Sequence, residues 1–146
     1  MRSLPIVVAA GEGRVNADIE SLYHAIGQEA LASAPDIGGR LLVYAEVQDG
    51  VVSADLFYVQ SPKRPIRFRF CTPAMRDLIV SLWEKWQGVP GNREWRVMCY
   101  VIDGGKFNID LTYPDQLNED EGLPDRRPHA IRRYFGEVSV DYSSPR

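Results

Sequence analysis

Two alternating runs meet at Asp49-Gly50 in "LLVYAEVQDGVVSADLFYVQ", residues 41–60, and this junction constrains the fold more than any other feature. Asp-Gly between β-type runs is the strongest short hairpin signal, because both residues tolerate the positive φ of a type I′ turn. A two-residue loop fixes the register. It pairs Val47 with Val52, Ala45 with Ala54 and Val43 with Leu56 on an apolar face. Glu46 then lies opposite Ser53, and Tyr44 opposite Asp55, on the other face. A one-residue slip would turn the apolar set to water, so turn and pattern select one pairing.

A second hairpin follows from "EWRVMCYVIDGGKFNIDLTY", residues 94–113. Gly104-Gly105 separates an arm bearing Met98, Tyr100 and Ile102 from one bearing Phe107, Ile109 and Leu111 on the same face. Asn108, Asp110 and Thr112 share the opposite face with Val97, Cys99 and Val101. Between the hairpins, "IRFRF" predicts a strand with Ile66, Phe68 and Phe70 inward and Arg67 and Arg69 outward. With Lys63 and Arg64, those arginines read as the charge guard of an edge strand. A basic–aromatic strip for nucleic acid would need both residue types on one face, which alternation forbids.

Helical spacing appears three times. Val15, Ile19, Leu22, Ile26 and Ala30 form a stripe over residues 15–33, with Asn16 as N-cap. Thr72-Pro73 starts a second helix whose stripe is Met75, Leu78, Ile79, Leu82, Trp83 and Trp86, stopped by Gly88 and Pro90. "PDRRPHAIRRYFG" predicts a short third helix, with Ile131, Tyr134 and Phe135 inward and Gly136 as cap. "EVSVDY", residues 137–142, alternates like a short edge strand.

The expected order is therefore α-β-β-β-α-β-β-α. It describes an α+β domain with a mostly antiparallel sheet of about five strands and helices packed on one face. The other face is expected to be open to water or to a partner. Residues 1–14 read as an N-terminal extension, frayed or a small added strand, 15–136 as a single domain and 137–146 as a tail. No stretch reaches the roughly 18 apolar residues of a membrane span.

Function classes narrow by what the chain lacks. Of its 146 residues 45% are hydrophobic, and its net charge of −3 argues against nonspecific nucleic-acid binding. Cys71 and Cys99 have no metal-type spacing and suggest a reducing, cytoplasmic setting. Cys71 precedes a helix N-cap, where a thiol pKa can fall. His24 and His129 have no partner in sequence and read as solvated. No nucleophile–base–orienter constellation is visible, so no intrinsic catalysis and no cofactor are expected.

Residues 110–125 hold six acids and no Lys or Arg. Asp110, Asp115, Glu119, Asp120 and Glu121 suit a surface that docks on a basic groove. A solvated loop is the plain alternative. The ligand alternation and central glycine of a calcium loop are missing, so a metal site is not expected. Trp95 and Tyr44 are candidate apolar anchors. By parity Trp95 is either exposed beside Asp110 and Tyr44, or packed beneath the 115–125 loop or against the tail.

The order of elements, with "SLYHAIGQEAL", "LLVYAEV", Trp95 and "GGKFNIDLTY", resembles the YezG-type antitoxin (immunity) family of bacterial polymorphic toxin systems over roughly residues 17–136. The resemblance implies a small cytoplasmic protein that binds and neutralises the C-terminal domain of a cognate toxin, often a nuclease, in contact-dependent growth inhibition. It implies no catalytic residue, no direct nucleic-acid contact and no membrane association. The other expectation is a regulatory module binding RNA or a small ligand through the open sheet face.

Overall fold

The computed structural model describes residues 14–143 together with the backbone of Ile6–Val8. The elements run β1 (Ile6–Val8), α1 (Ala17–Ser33), β2 (Leu41–Gln48), β3 (Val51–Tyr58), β4 (Ile66–Phe70), α2 (Pro73–Gln87), β5 (Val97–Asp103), β6 (Lys106–Thr112), α3 (Leu123–Phe135) and β7 (Val140–Asp141). A single 3₁₀ turn, Pro114–Gln116, follows β6. The strands form one seven-stranded sheet in the order β1-β6-β5-β2-β3-β4-β7. The five central strands pair antiparallel. Short parallel strands close both edges, β1 on β6 and β7 on β4.

Both hairpins keep the register that their turns dictate. Val47 pairs with Val52 and Tyr44 with Asp55 in the first, and Tyr100 with Ile109 in the second. Asp49 and Gly50 have φ of 54° and 75°, and Gly104 and Gly105 have 61° and 78°. At Gly38 the requirement is space: a Cβ there would lie 2.1 Å from the Gln60 carbonyl oxygen. That close approach lets the Gly38 amide donate to the Val59 carbonyl and tie the α1–β2 loop to the end of β3.

α1 and α2 pack on one sheet face, as the stripes predict. Asn16 and Thr72 cap them, accepting from the amides of Ile19 and Met75. Beneath lies the larger core, built on Tyr23, Ile26, Ile79, Trp86, Tyr100 and Phe107. Val15, the first residue of the predicted α1 stripe, precedes the cap and is exposed. His24 is half-buried, its ring edge-on to Phe107 at a centroid distance of 5.4 Å. It is therefore not a freely solvated histidine.

α3 departs from the one-face arrangement. It lies across the opposite face and covers Leu42, Tyr44, Phe57, Val97, Cys99 and Val101 with Ala130 and Ile131. The face expected to be open is therefore a second core. Ile66 and Phe68 belong to it, whereas Phe70 at the end of β4 is 65% exposed, its ring edge-on to Phe68 at 4.8 Å. The expected charge-guarded edge is covered instead: β7 pairs with β4 at Ile66 and Arg67, while an Arg69 guanidinium nitrogen donates to the Phe68 carbonyl at 3.1 Å. Among the described residues no helix is long and apolar enough to cross a membrane.

The two cysteines sit one in each core, Cys71 under α1 and α2 and Cys99 under α3. Burial pushes the Cys71 thiol up to about 11, with Arg76 opposing, so the lowering expected beside a helix N-cap does not occur; it pushes the Cys99 thiol up to about 12, assisted by nearby Asp110. Neither thiol should react with a disulfide reagent faster than the protein opens. A stopped-flow reaction at the rate of a free thiol would contradict this placement.

Candidate functional site

α3 is short of apolar residues and is held down by charge. Asp55, Tyr44, Cys99 and Asp110 stand in one row across β3, β2, β5 and β6, because each pairs with the next. Arg127 binds the carboxylate at one end of the row, Asp55, at 2.6 Å. Arg133, near the other end of α3, binds Asp110 at 2.7 Å. Glu46, two residues along β2, receives a bidentate contact from Arg126: Nη2 to Oε1 at 2.6 Å and Nε to Oε2 at 3.1 Å. The Tyr44 hydroxyl donates to the same Oε2 at 2.6 Å, and Glu46 is only 7% exposed. Burial raises the Asp55 carboxyl above its ordinary range, with Arg127 opposing. Burial and the Glu46 carboxylate together raise the Tyr44 phenol.

Of this network, Glu46 and Arg126 form the floor of a cleft of about 720 Å³. One wall is the tip of the β2–β3 hairpin, with Gln48, Asp49, Val51 and Ser53. The other is the segment after β6, with Leu117, Asn118, Glu119 and Glu121, closed by Leu123 at the start of α3. Arg96 lines it from the chain leading into β5. The far wall is built locally. Asp120 donates its amide to Asn118 Oδ1 at 2.9 Å, and Gly122 donates to Asp125 Oδ2 at 3.0 Å. Arg126 Nη1 donates to the Glu121 carbonyl at 2.6 Å, so one guanidinium holds both floor and wall.

The predicted site residues divide sharply. Glu119 and Asp120 are exposed, and among the described residues their carboxylates meet no cation. Glu121 is half-buried, 3.8 Å from the His129 ring. Asp115 is exposed but paired with Arg93 at 3.1 Å. Asp110 is occupied by Arg133, so it serves the fold and not a free surface. Tyr44 and Trp95 do not act as exposed anchors. Tyr44 is 2% exposed beneath α3, and Trp95 is fully buried in the core under α1 and α2. The chain bends at Arg96, before β5 begins, which breaks the alternation and swings Trp95 to the other face.

Glu46 and Arg126 were not among the residues singled out by sequence. The signal was there in outline: acids Glu46, Asp55 and Asp110 share one sheet face, and "DRRPHAIRR" supplies the arginines. Among the described residues no three His, Cys, Asp or Glu side chains converge to hold a metal ion. The arrangement offers fixed charge and shape at the cleft rim. Neither a family model nor a curated protein matches the sequence.

Proposed function

We propose that this protein is a cytoplasmic immunity protein that neutralises a cognate toxin domain, a nuclease, by occluding its active site or substrate groove. The observation that carries the proposal is the run Glu119-Asp120-Glu121, its first two residues exposed and the third half-buried. Two of these carboxylates have no cation partner among the described residues, and the backbone beneath them is fixed by side-chain hydrogen bonds. A nuclease must attract a polyanion, so its groove is basic, and a preformed acidic rim complements it at little ordering cost. The resemblance to YezG-type antitoxins supports the same reading. Nothing in this mechanism turns over.

Changing Glu119, Asp120 and Glu121 together to lysine should leave stability within about 0.5 kcal/mol, since exposed loop charges contribute little. Affinity for the toxin domain should fall by about a hundredfold or more at low ionic strength, mostly through slower association. The deficit should shrink in high salt, where screening removes attraction and repulsion alike. Titration of both proteins against the toxin domain at two salt concentrations, with a growth-protection assay, measures this. Equal affinity and equal protection would reduce the acidic run to solvated surface.

A further inference from the structure

We infer that the cleft is a receptor for one protruding segment of a protein partner, a lysine or arginine next to an aliphatic residue. The inference rests on the functional reading above only for the partner being a toxin. It adds a direction: the partner enters this protein, whereas an acidic loop acting alone would enter the partner.

Three independent features carry it. The first is shape. The acidic run is one wall of a concave space of about 720 Å³, a volume in the range of sites that enclose a ligand. The second is charge. The Glu46–Arg126 pair is internally neutral, and the other ionisable groups lining the cleft are Asp49, Glu119 and Glu121 against Arg96. The surplus is negative and comes from both walls, so a cation between them is stabilised from two sides. The same surplus disfavours phosphate, so a basic protein segment fits better than nucleic acid. The third is apolar surface. Val51 is 67% exposed at the hairpin tip, and Leu117, Pro114 and Leu123 line the space. Long basic side chains lay their methylene stems on such surface while the charged head stays polar. Arg96, whose guanidinium makes no hydrogen bond or ion pair with the described residues, can donate to the backbone carbonyls of an inserted segment.

The position of Asp120 separates this inference from the broader one. Asp120 belongs to the acidic run but does not line the cleft, whereas Val51 lines the cleft but belongs to the other wall. A random dodecapeptide display library, selected on the immobilised full chain, is the direct probe. Enriched peptides should carry lysine or arginine beside an aliphatic residue. Their binding should fall about tenfold with Glu119→Lys/Glu121→Lys and severalfold with the neutral Val51→Asn, and should stay within about twofold with Asp120→Lys. Circular dichroism verifies the fold of each variant, and Glu119→Lys alone replaces the double variant if that one unfolds. No enrichment, enrichment without basic residues, or an Asp120→Lys loss as large as the others would overturn the cleft. If the triple lysine protein loses toxin binding while the library yields no basic peptide, the immunity reading stands and the cleft fails. If basic peptides bind the cleft but the protein protects against no toxin, the reverse holds.

Discussion

Arg126→Leu should lower the free energy of unfolding by about 3–5 kcal/mol, because it leaves the Glu46 carboxylate buried without a counter-charge. Glu46 is 7% exposed, and the guanidinium supplies both of its strong contacts apart from the Tyr44 hydroxyl. The same change frees the Glu121 carbonyl from its donor, so the far wall of the cleft should loosen too. The double variant Glu46→Leu/Arg126→Leu should recover most of the loss. Replacing a whole buried pair by apolar residues is close to neutral, whereas breaking it is not. Urea denaturation of the two single variants and the double variant measures the coupling. A single-variant cost below about 1 kcal/mol would mean that water reaches Glu46 through the cleft and solvates it.

Trp95→Ala should cost a similar amount, about 3–5 kcal/mol, by leaving a cavity in the main core. Trp95 is fully buried, and Trp83 donates its indole N–H to the Trp95 carbonyl at 2.9 Å. Trp95→Phe should cost far less. The Trp95 indole nitrogen has no hydrogen-bond partner among the described residues, so phenylalanine forfeits volume but no polar contact. If Trp95 were instead a binding anchor, the alanine variant would keep its melting temperature and lose only affinity. Thermal unfolding and toxin titration on the same preparation separate the two outcomes. The expected pattern is a large loss of stability, with the affinity of the remaining folded protein intact.

The fate of Trp95 shows where sequence reading works and where it stops. Alternation assigned faces correctly wherever a tight turn fixed the register, down to Tyr44 opposite Asp55 and to Cys99 and Asp110 on one face. It failed two residues before β5, because a period of two applies only within a strand and the bend at Arg96 resets it. The second sheet face was misjudged for a different reason. α3 buries only Ala130 and Ile131 and docks largely through Arg126, Arg127 and Arg133. Periodicity announced the helix through Ile131, Tyr134 and Phe135, but it carries no record of which sheet face a helix fastened by arginines will cover, so that face looked open. The acidic loop was legible as a composition, but its division into free and occupied carboxylates was not. Asp110 is spoken for by a residue more than twenty positions away, and only the tertiary fold brings Arg133 to it.

The two short parallel strands at the sheet edges have a consequence for the order of assembly. β2, β3 and β4 can pair as soon as they leave the ribosome, since hairpin contacts are local. The outer edge of β4 then stays open until Val140 arrives to pair with Ile66. β1 is made early, yet its partner stretch, beginning at Phe107, is made after four strands and two helices. For most of synthesis the growing sheet therefore presents a strand edge of the kind that recruits other chains. The residues that remove that hazard are the few at 6–8 and 140–141, and they make their contacts last.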